Sequence, residues 1–268
     1  MLAVERHAII MEILRKNKII KISDIANRFS VSNETARRDL EALQDSNQVK
    51  RIYGGAILQE PETAVPQCKA RAVKRHFQKI AVGKAAASLI SSGETIILDI
   101  GTTTLEMARH LKDLRDITVL TNSLPIINEL SNSSVNLFCL GGRLSRDELS
   151  MSGKITIDSL QQFFVDSAFI GAGGITLDGG LSDYHSEEAM VSQAIIRRAN
   201  QVVLVSDSGK FGTNAFASVC GLDDIDIVVT DDNLPVSFQE GLRKWSHLKL
   251  ILASPEADDK DCDENSSG

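Results

Sequence analysis

The sequence predicts an α/β protein in two parts: a small N-terminal domain of short helices closed by a hairpin, and a larger, mainly parallel α/β domain. Three observations predict it. The chain has 268 residues and 43 % apolar content, long for one compact unit and rich enough for two cores. Up to residue 58, apolar positions recur at helical spacing and then give way to a Gly-Gly turn. Beyond residue 94, short apolar runs alternate with amphipathic stretches, the pattern of a sheet covered on both faces.

The first domain begins with Ile9, Ile10, Ile13 and Leu14, which share one face of a helix that runs into the basic stretch "RKNKIIK". Ser23 is a suitable N-cap for a second, short helix in which Ile25, Ala26 and Phe29 form the apolar face. After the tight connection "SVS", Ser32 caps a third helix. Its Ala36, Leu40 and Leu43 fall at i, i+4 and i+7 and point one way, leaving Asn33, Glu34, Arg37, Arg38 and Glu41 outside. "QVKRIYGGAIL" then reads as a strand, a turn at Gly54-Gly55 and a returning strand.

Three short helices with a tight turn between the second and third form a helix-turn-helix, whose third helix enters the major groove N-terminus first. Asn33, Glu34, Arg37 and Arg38 lie on the first two turns, within reach of base edges. Arginine matches guanine O6/N7, and asparagine pairs bidentately with adenine. Ser30, Ser32 and Thr35 supply short hydroxyls for phosphates, and Lys50 and Arg51 on the hairpin would grip the backbone as a wing. The plainer reading is a solvated helix in which Glu34–Arg38 and Arg37–Glu41 satisfy each other, worth only about 0.3–0.5 kcal/mol per pair. Charge distribution favours DNA. The formal charge is -7 overall, yet residues 1–57 hold ten Lys/Arg against seven Asp/Glu and the rest hold 19 against 29. "ISDIANRFSVSNETARRDLEAL" followed by "RIYGGA" resembles the winged helix-turn-helix of the DeoR/GlpR family of bacterial transcriptional repressors. The resemblance implies that the helix from Ser32 to Leu43 reads operator DNA.

The expected organisation is 1–58 DNA-binding domain, 59–75 linker, 76–252 α/β domain and 253–268 acidic tail. Residues 59–75 hold two prolines and no apolar periodicity, and "PEADDKDCDENSSG" is too polar to order itself. In the α/β domain "ETIILDIG", "ITVLTNS", "VNLFCLGG", "DSAFIGAGG", "QVVLVSD" and "DIDIVVTD" are strands, with "TTTLEMARHLKDL", "LPIINELS" and "SEEAMVSQAIIRRAN" as helices among them. Open parallel sheets bind ligands beyond the carboxyl ends of their strands. There the sequence places Asp99 and Gly101-Thr102-Thr103-Thr104 opening a helix, Asn122, Gly141-Gly142, and Lys210 after "VSDSG". Backbone N–H groups and hydroxyls at a helix start suit a phosphate, and Asp99 and Asn122 suit sugar hydroxyls. Taken singly, each is equally a turn, an N-cap or a solvated lysine. "GAGGIT" carries Thr176 where a dinucleotide fingerprint needs its third glycine and no GxxxxGK[ST] occurs, so NAD and ATP are not expected.

"LDIGTTT", "TNS", "LGG", "IGAGGIT" and "DSGKFG" resemble, in order, the same family's C-terminal sensor, which is similar in fold to sugar-phosphate isomerases. The resemblance implies that Asp99, Gly101, Thr102, Thr103, Thr104, Asn122, Gly141, Gly142 and Lys210 bind a phosphorylated sugar, and that the protein is a homo-oligomer, dimer or tetramer. Ser192 stands where many members carry lysine. The rival is a sugar-phosphate isomerase or deaminase fused to a DNA-binding head, with Asp99, Asp178, Asp183, His185, Glu187 and Glu188 as acid–base candidates. An acidic first helical turn after a polar loop explains "LDGGLSDYHSEE" better, so an enzyme is not expected. The four cysteines, Cys68, Cys139, Cys220 and Cys262, form no CxxC pair, so no metal site is expected, and together with the charged residues that break up "MLAVERHAIIMEIL" they point to a cytoplasmic protein without a membrane span.

Overall fold

A computed structural model of the chain describes residues 3–17, 19–45, 49–52, 54–58 and 68–255. The expected linker up to residue 67, and the acidic tail from 256 on, lie outside the described residues. The chain divides into two compact units, Met1–Val65 and Pro66–Gly268.

In the first unit α1 (Ala3–Asn17), α2 (Ile22–Phe29) and α3 (Asn33–Asp45) surround a core of Ile10, Leu14, Ile25, Ala36, Leu40 and Leu43. Two expectations are corrected. Ile19–Lys21 is not the tail of α1 but strand β1, which pairs antiparallel with β3 (Gly55–Leu58); β3 pairs in turn with β2 (Val49–Ile52). Ser23 is not the N-cap of α2; that position is Lys21, and the Ser23 hydroxyl bonds Asp24 in the first turn. Both follow from the β1–β3 pairing, which pulls the chain out of helix one and starts helix two earlier. Gly55 makes the pairing possible, since a Cβ there would lie 2.2 Å from the Ile20 carbonyl oxygen.

Buried across this unit is Asp39, which accepts from Arg6 Nε (2.8 Å) and Nη2 (2.9 Å) and sits 3.0 Å from His7 Nε2, tying α1 to α3. Burial pushes the Asp39 carboxyl up, but the bonds from Arg6 and His7 outweigh it and hold the group below the usual carboxylate range.

The second unit begins with α4 (Cys68–Val73) and α5 (His76–Ala87), so part of the expected linker is helical and belongs to this unit. The elements that follow are β4 (Thr95–Leu98), α6 (Thr102–Arg109), β5 (Thr118–Thr121), α7 (Leu124–Leu130), β6 (Asn136–Cys139), the hairpin β7 (Arg143–Ser145) and β8 (Ser150–Ser152), and α8 (Lys154–Leu160). Then come β9 (Val165–Ile170), β10 (Gly174–Thr176), β11 (Gly180–Asp183), α9 (Ser186–Ile196), β12 (Ala199–Val205), β13 (Ala217–Cys220), β14 (Ile227–Asp231), α10 (Val236–Leu242) and β15 (Lys249–Ala253). Seven strands form a parallel sheet in the order β15-β14-β12-β9-β4-β5-β6. Its strands read as apolar runs because both faces are covered. Val82, Met107, Ala108 and Ile126 from α5, α6 and α7 pack on one face, and Leu160, Ala189, Ile195 and Leu242 from α8, α9 and α10 on the other. The sheet β10-β11-β13 and the hairpin β7-β8, neither of which was expected, lie beyond it.

The chain winds from β4 outward through β5 to β6, then returns to the opposite side of β4 with β9 and winds outward through β12. The winding therefore reverses between β4 and β9, and the loops after those two strands diverge to leave a crevice.

Candidate functional site

On the first unit, α3 presents Asn33, Glu34, Arg37 and Arg38 to solvent, with the Arg37 and Arg38 side chains 54 % and 76 % exposed. Ser32 caps the helix as expected, its Oγ accepting from Thr35 N at 3.1 Å and lying 2.9 Å from Thr35 Oγ1. Ser30 occupies the turn between α2 and α3 in the left-handed region, φ 53°. Of the two pairs in the plainer reading, Glu34–Arg38 is present at 3.7 Å, but Arg37 lies 3.8 Å from Glu34 instead of pairing with Glu41, which is taken by Arg51 of β2 at 2.6 Å. Long, half-exposed pairs of this kind contribute little. Arg37 and Arg38 are therefore available to a partner, Lys50 remains exposed on the hairpin, and Arg51 is engaged within the unit.

On the second unit, a pocket opens where the winding reverses. The loop after β4 contributes Gly101, Thr102, Thr103 and Thr104; the loop after β9 contributes Gly171 and Gly173; the loop after β12 contributes Ser206 and Lys210. Four backbone N–H groups at the start of α6 have no partner within the helix, so this rim is a ready cradle for an anion. Lys210 is held in place by a rigid loop, in which Asp231 accepts from Ser208 N (2.6 Å) and Oγ (2.9 Å) and Asp207 accepts from Gly209 N (3.1 Å). Lys210 Nζ donates to the Tyr184 hydroxyl at 2.9 Å.

Three further charged groups enter the same pocket. Arg71 arrives on α4, Glu148 on the turn between β7 and β8, and Asp183 at the end of β11. Arg71 Nη2 pairs with Glu148 Oε2, while Glu148 Oε1 and Arg71 Nε have no hydrogen-bond partner among the described residues; His185 Nε2 is 3.7 Å from Oε1, too far to bond. Burial pushes the Asp183 carboxyl up to about 6, with Glu148 adding to the rise. A cleft of about 240 Å³ adjoins the pocket and shares Arg71, Gly173 and Lys210 with it; Lys74, Arg75 and Lys79 add their charges there. Burial pushes the Lys79 ammonium down to about 8.

Of the expected effector residues, the structure brings Gly101, Thr102, Thr103, Thr104 and Lys210 to the pocket. Asp99 does not line it. It is 2 % exposed beneath, its Oδ2 accepting from Ser192 Oγ at 2.5 Å and its Oδ1 from Ile100 N at 2.8 Å, and burial pushes it up to about 7. Ser192 is thus a partner for Asp99 in the core. Asn122, Gly141 and Gly142 follow β5 and β6, on the side of β4 away from β9, and are not among the pocket's residues. Asn122 Nδ2 donates to the Met151 carbonyl at 3.0 Å, and Gly141 O accepts from Thr156 Oγ1 at 2.8 Å. Gly142, at φ 156°, lets β8 and α8 approach, since a Cβ would stand 2.8 Å from the Ser152 carbonyl oxygen and 2.0 Å from Thr156 Oγ1.

Arg71, Glu148 and Tyr184 went unnoticed in the sequence, and Asp183 was noticed only as an acid–base candidate. A glycine cluster straight after a strand, "GAGG", was the local signal for Gly171 and Gly173. Among the described residues no group of three or more His, Cys, Asp or Glu is placed to hold a metal, and no helix is long and apolar enough to cross a membrane.

The model of the DeoR C terminal sensor domain matches residues 74–232, and that of the DeoR-like helix-turn-helix domain matches residues 6–62. The uncharacterized HTH-type transcriptional regulator YgbI of Escherichia coli (strain K12) is 35 % identical, covering 96 % of this chain and 100 % of that one. The HTH-type transcriptional repressor GlcR of Bacillus subtilis (strain 168) is 35 % identical over 85 % and 88 % of the two chains. The glycerol-3-phosphate regulon repressor of Escherichia coli (strain K12) is 31 % identical over 92 % and 98 %. Ribose 5-phosphate isomerase A from Methanocaldococcus jannaschii resembles 52 % of this chain, and 55 % of its own, at 19 % identity with a TM-score of 0.40, too loose a likeness to argue from. With both segments matched in order and full-length regulators as relatives, the chain belongs to the DeoR/GlpR family of helix-turn-helix transcriptional regulators with a C-terminal sensor domain.

Proposed function

We propose that the protein represses a sugar-metabolism operon and is released from its operator by a phosphorylated sugar bound between the loops after β4 and β9. The observation that carries this reading is the pocket at the reversal of the sheet. The start of α6, Lys210 and Arg71 supply donors and positive charge for a phosphate, while Asp183 and the unpartnered Glu148 Oε1 accept from sugar hydroxyls. One relative is named for the glycerol-3-phosphate regulon and another for an aga operon, in keeping with small phosphorylated polyols or sugars as the ligand class. The named relatives are regulators and repressors, and the chain acts as one and not as an enzyme.

Operator reading falls to Asn33, Glu34, Arg37 and Arg38, with Ser30, Ser32, Thr35 and Lys50 at the phosphates. Helix-turn-helix proteins engage two half-sites about 34–36 Å apart, so the DNA-binding form is a homo-oligomer, dimer or tetramer. The effector favours an arrangement that cannot hold both half-sites, and it weakens DNA binding by its differential affinity for the two states. Fluorescence anisotropy with DNA from the protein's own upstream region tests this against glucose 6-phosphate, fructose 1-phosphate, fructose 6-phosphate and glycerol 3-phosphate. One of them is expected to weaken binding in wild type and not in Lys210→Ala. Equal affinity across the panel would refute the effector.

A further inference from the structure

We propose that helix α4, which leads from the DNA-binding unit into the sensor unit, is the responding element of the effector pocket: an anion bound there fixes α4 in place through Arg71. The inference rests on the effector reading above and adds the part of the chain that moves with occupancy. Neither family match, 6–62 or 74–232, includes Cys68–Val73.

The first support is how α4 is held. None of its described side chains is buried, and Val73 is 80 % exposed. Six residues are too few to hold a helix by themselves. The attachments are polar: Arg71 to Glu148; the Arg71 guanidinium 5.4 Å from the Tyr184 ring centre; and Lys79 Nζ to the carbonyls of Arg71 and, at 2.6 Å, Lys74. Just past the helix, Arg75 Nη1 donates to Ser208 Oγ at 3.0 Å.

The second support is what those attachments reach. Glu148 lines the pocket, Tyr184 holds Lys210, and Ser208 belongs to the loop that carries Lys210. Docking of α4 and occupancy of the pocket thus use the same groups, so each must change the other's free energy equally.

The sign follows from charge. Arg71, Lys79 and Lys210 converge; burial lowers the Lys79 pKa, and Lys210 and Arg71 add to the fall against the opposing pull of Asp207 and Glu106. A phosphate relieves that repulsion and takes the unpaired Arg71 Nε donor, while a sugar hydroxyl can donate to Glu148 Oε1. Both ends of the Arg71–Glu148 pair then gain a partner, and α4 is held more firmly. α4 is the first described element of the sensor unit after the DNA-binding unit, so occupancy of the pocket is felt at the point where the chain enters the sensor.

Hydrogen–deuterium exchange of the full chain tests this with the sugar-phosphate panel and inorganic phosphate, alongside thermal unfolding and the ratio of operator affinities without and with each compound. A compound that stabilises wild type more than Lys210→Ala is expected to slow exchange of residues 68–75 at least about fivefold. Arg71→Gln is expected to lose that protection and bring the ratio towards one, with Arg71→Lys recovering part of it. Val73→Ser, on the exposed side of the same helix, keeps the wild-type ratio. The proposal is overturned if a compound binds and weakens operator affinity while exchange at 68–75 is unchanged, or if Arg71→Gln responds as wild type does. If no compound stabilises wild type over Lys210→Ala, the effector reading itself fails and this inference falls with it.

Discussion

Asp99→Asn should remove a specific pH dependence of sensor stability. Burial raises the Asp99 carboxyl to about 7, the charges of Asp183 and Glu188 add to the rise, and the bonds from Ser192 and Ile100 only partly oppose it. The unfolded value is 3.8. A raised folded pKa means that the native state binds the proton more tightly. The resulting stabilisation is fully present below the unfolded pKa and is lost as pH rises through the folded one. With these two values it amounts to roughly 3 kcal/mol at pH 5 and to almost nothing at pH 8. Asparagine keeps an oxygen for Ile100 N and a polar partner for Ser192 but does not titrate. Urea unfolding of both proteins at pH 5, 6.5 and 8 isolates the effect, because groups that do not interact with Asp99 titrate alike in each and cancel in the difference. The gap is expected to move towards the variant by roughly 2–3 kcal/mol between pH 5 and 8. A gap constant within about 0.5 kcal/mol would mean that Asp99 has the same pKa folded and unfolded, and the burial argument would be wrong.

Leu40 is fully buried in the small first unit, so Leu40→Ala should cost about 2–5 kcal/mol there; calorimetry should show an early transition for that unit while the sensor's is retained. Gly142→Ala drives a Cβ into Thr156 Oγ1 and the Ser152 carbonyl and should destabilise the sensor by about 1–3 kcal/mol in urea titrations. Arg37→Ala should weaken operator binding by about 1–3 kcal/mol and relax preference at one base position. A uniform loss across sequences, with a smaller salt slope, would mark Arg37 as a phosphate contact. Lys50→Ala should lower the salt slope by about one, whereas Arg51→Ala, whose charge is spent on Glu41, should leave it nearly unchanged.

Recognition helix α3 was legible because its causes are local. The Ser32 hydroxyl caps it, and Ala36, Leu40 and Leu43 share a face by spacing alone. Strand β1 was not, because Ile19–Lys21 continues an apolar helical pattern and only Gly55, more than thirty residues later, supplies a close strand to pair with. Helix α4 escaped notice for a related reason: it is held by charges on distant residues and carries no apolar stripe.

In the pocket, Gly101 to Thr104 could be read because a strand followed by small polar residues and a helix is a local pattern that leaves free N–H groups at the turn. By itself the sequence determined the parallel α/β class, the helix-turn-helix and the strand ends that carry small polar residues, since these follow from side-chain periodicity and short-range capping. Only the tertiary structure decided which strand ends meet. The winding reverses at β4, so Lys210 after β12 and the glycines after β9 adjoin Gly101, whereas Asn122 and Gly142, nearer to it in sequence, lie on the other side. Strand order is set by packing across the whole sheet. Arg71, Glu148 and Asp183 reach the site from three separate elements because that packing brings them there.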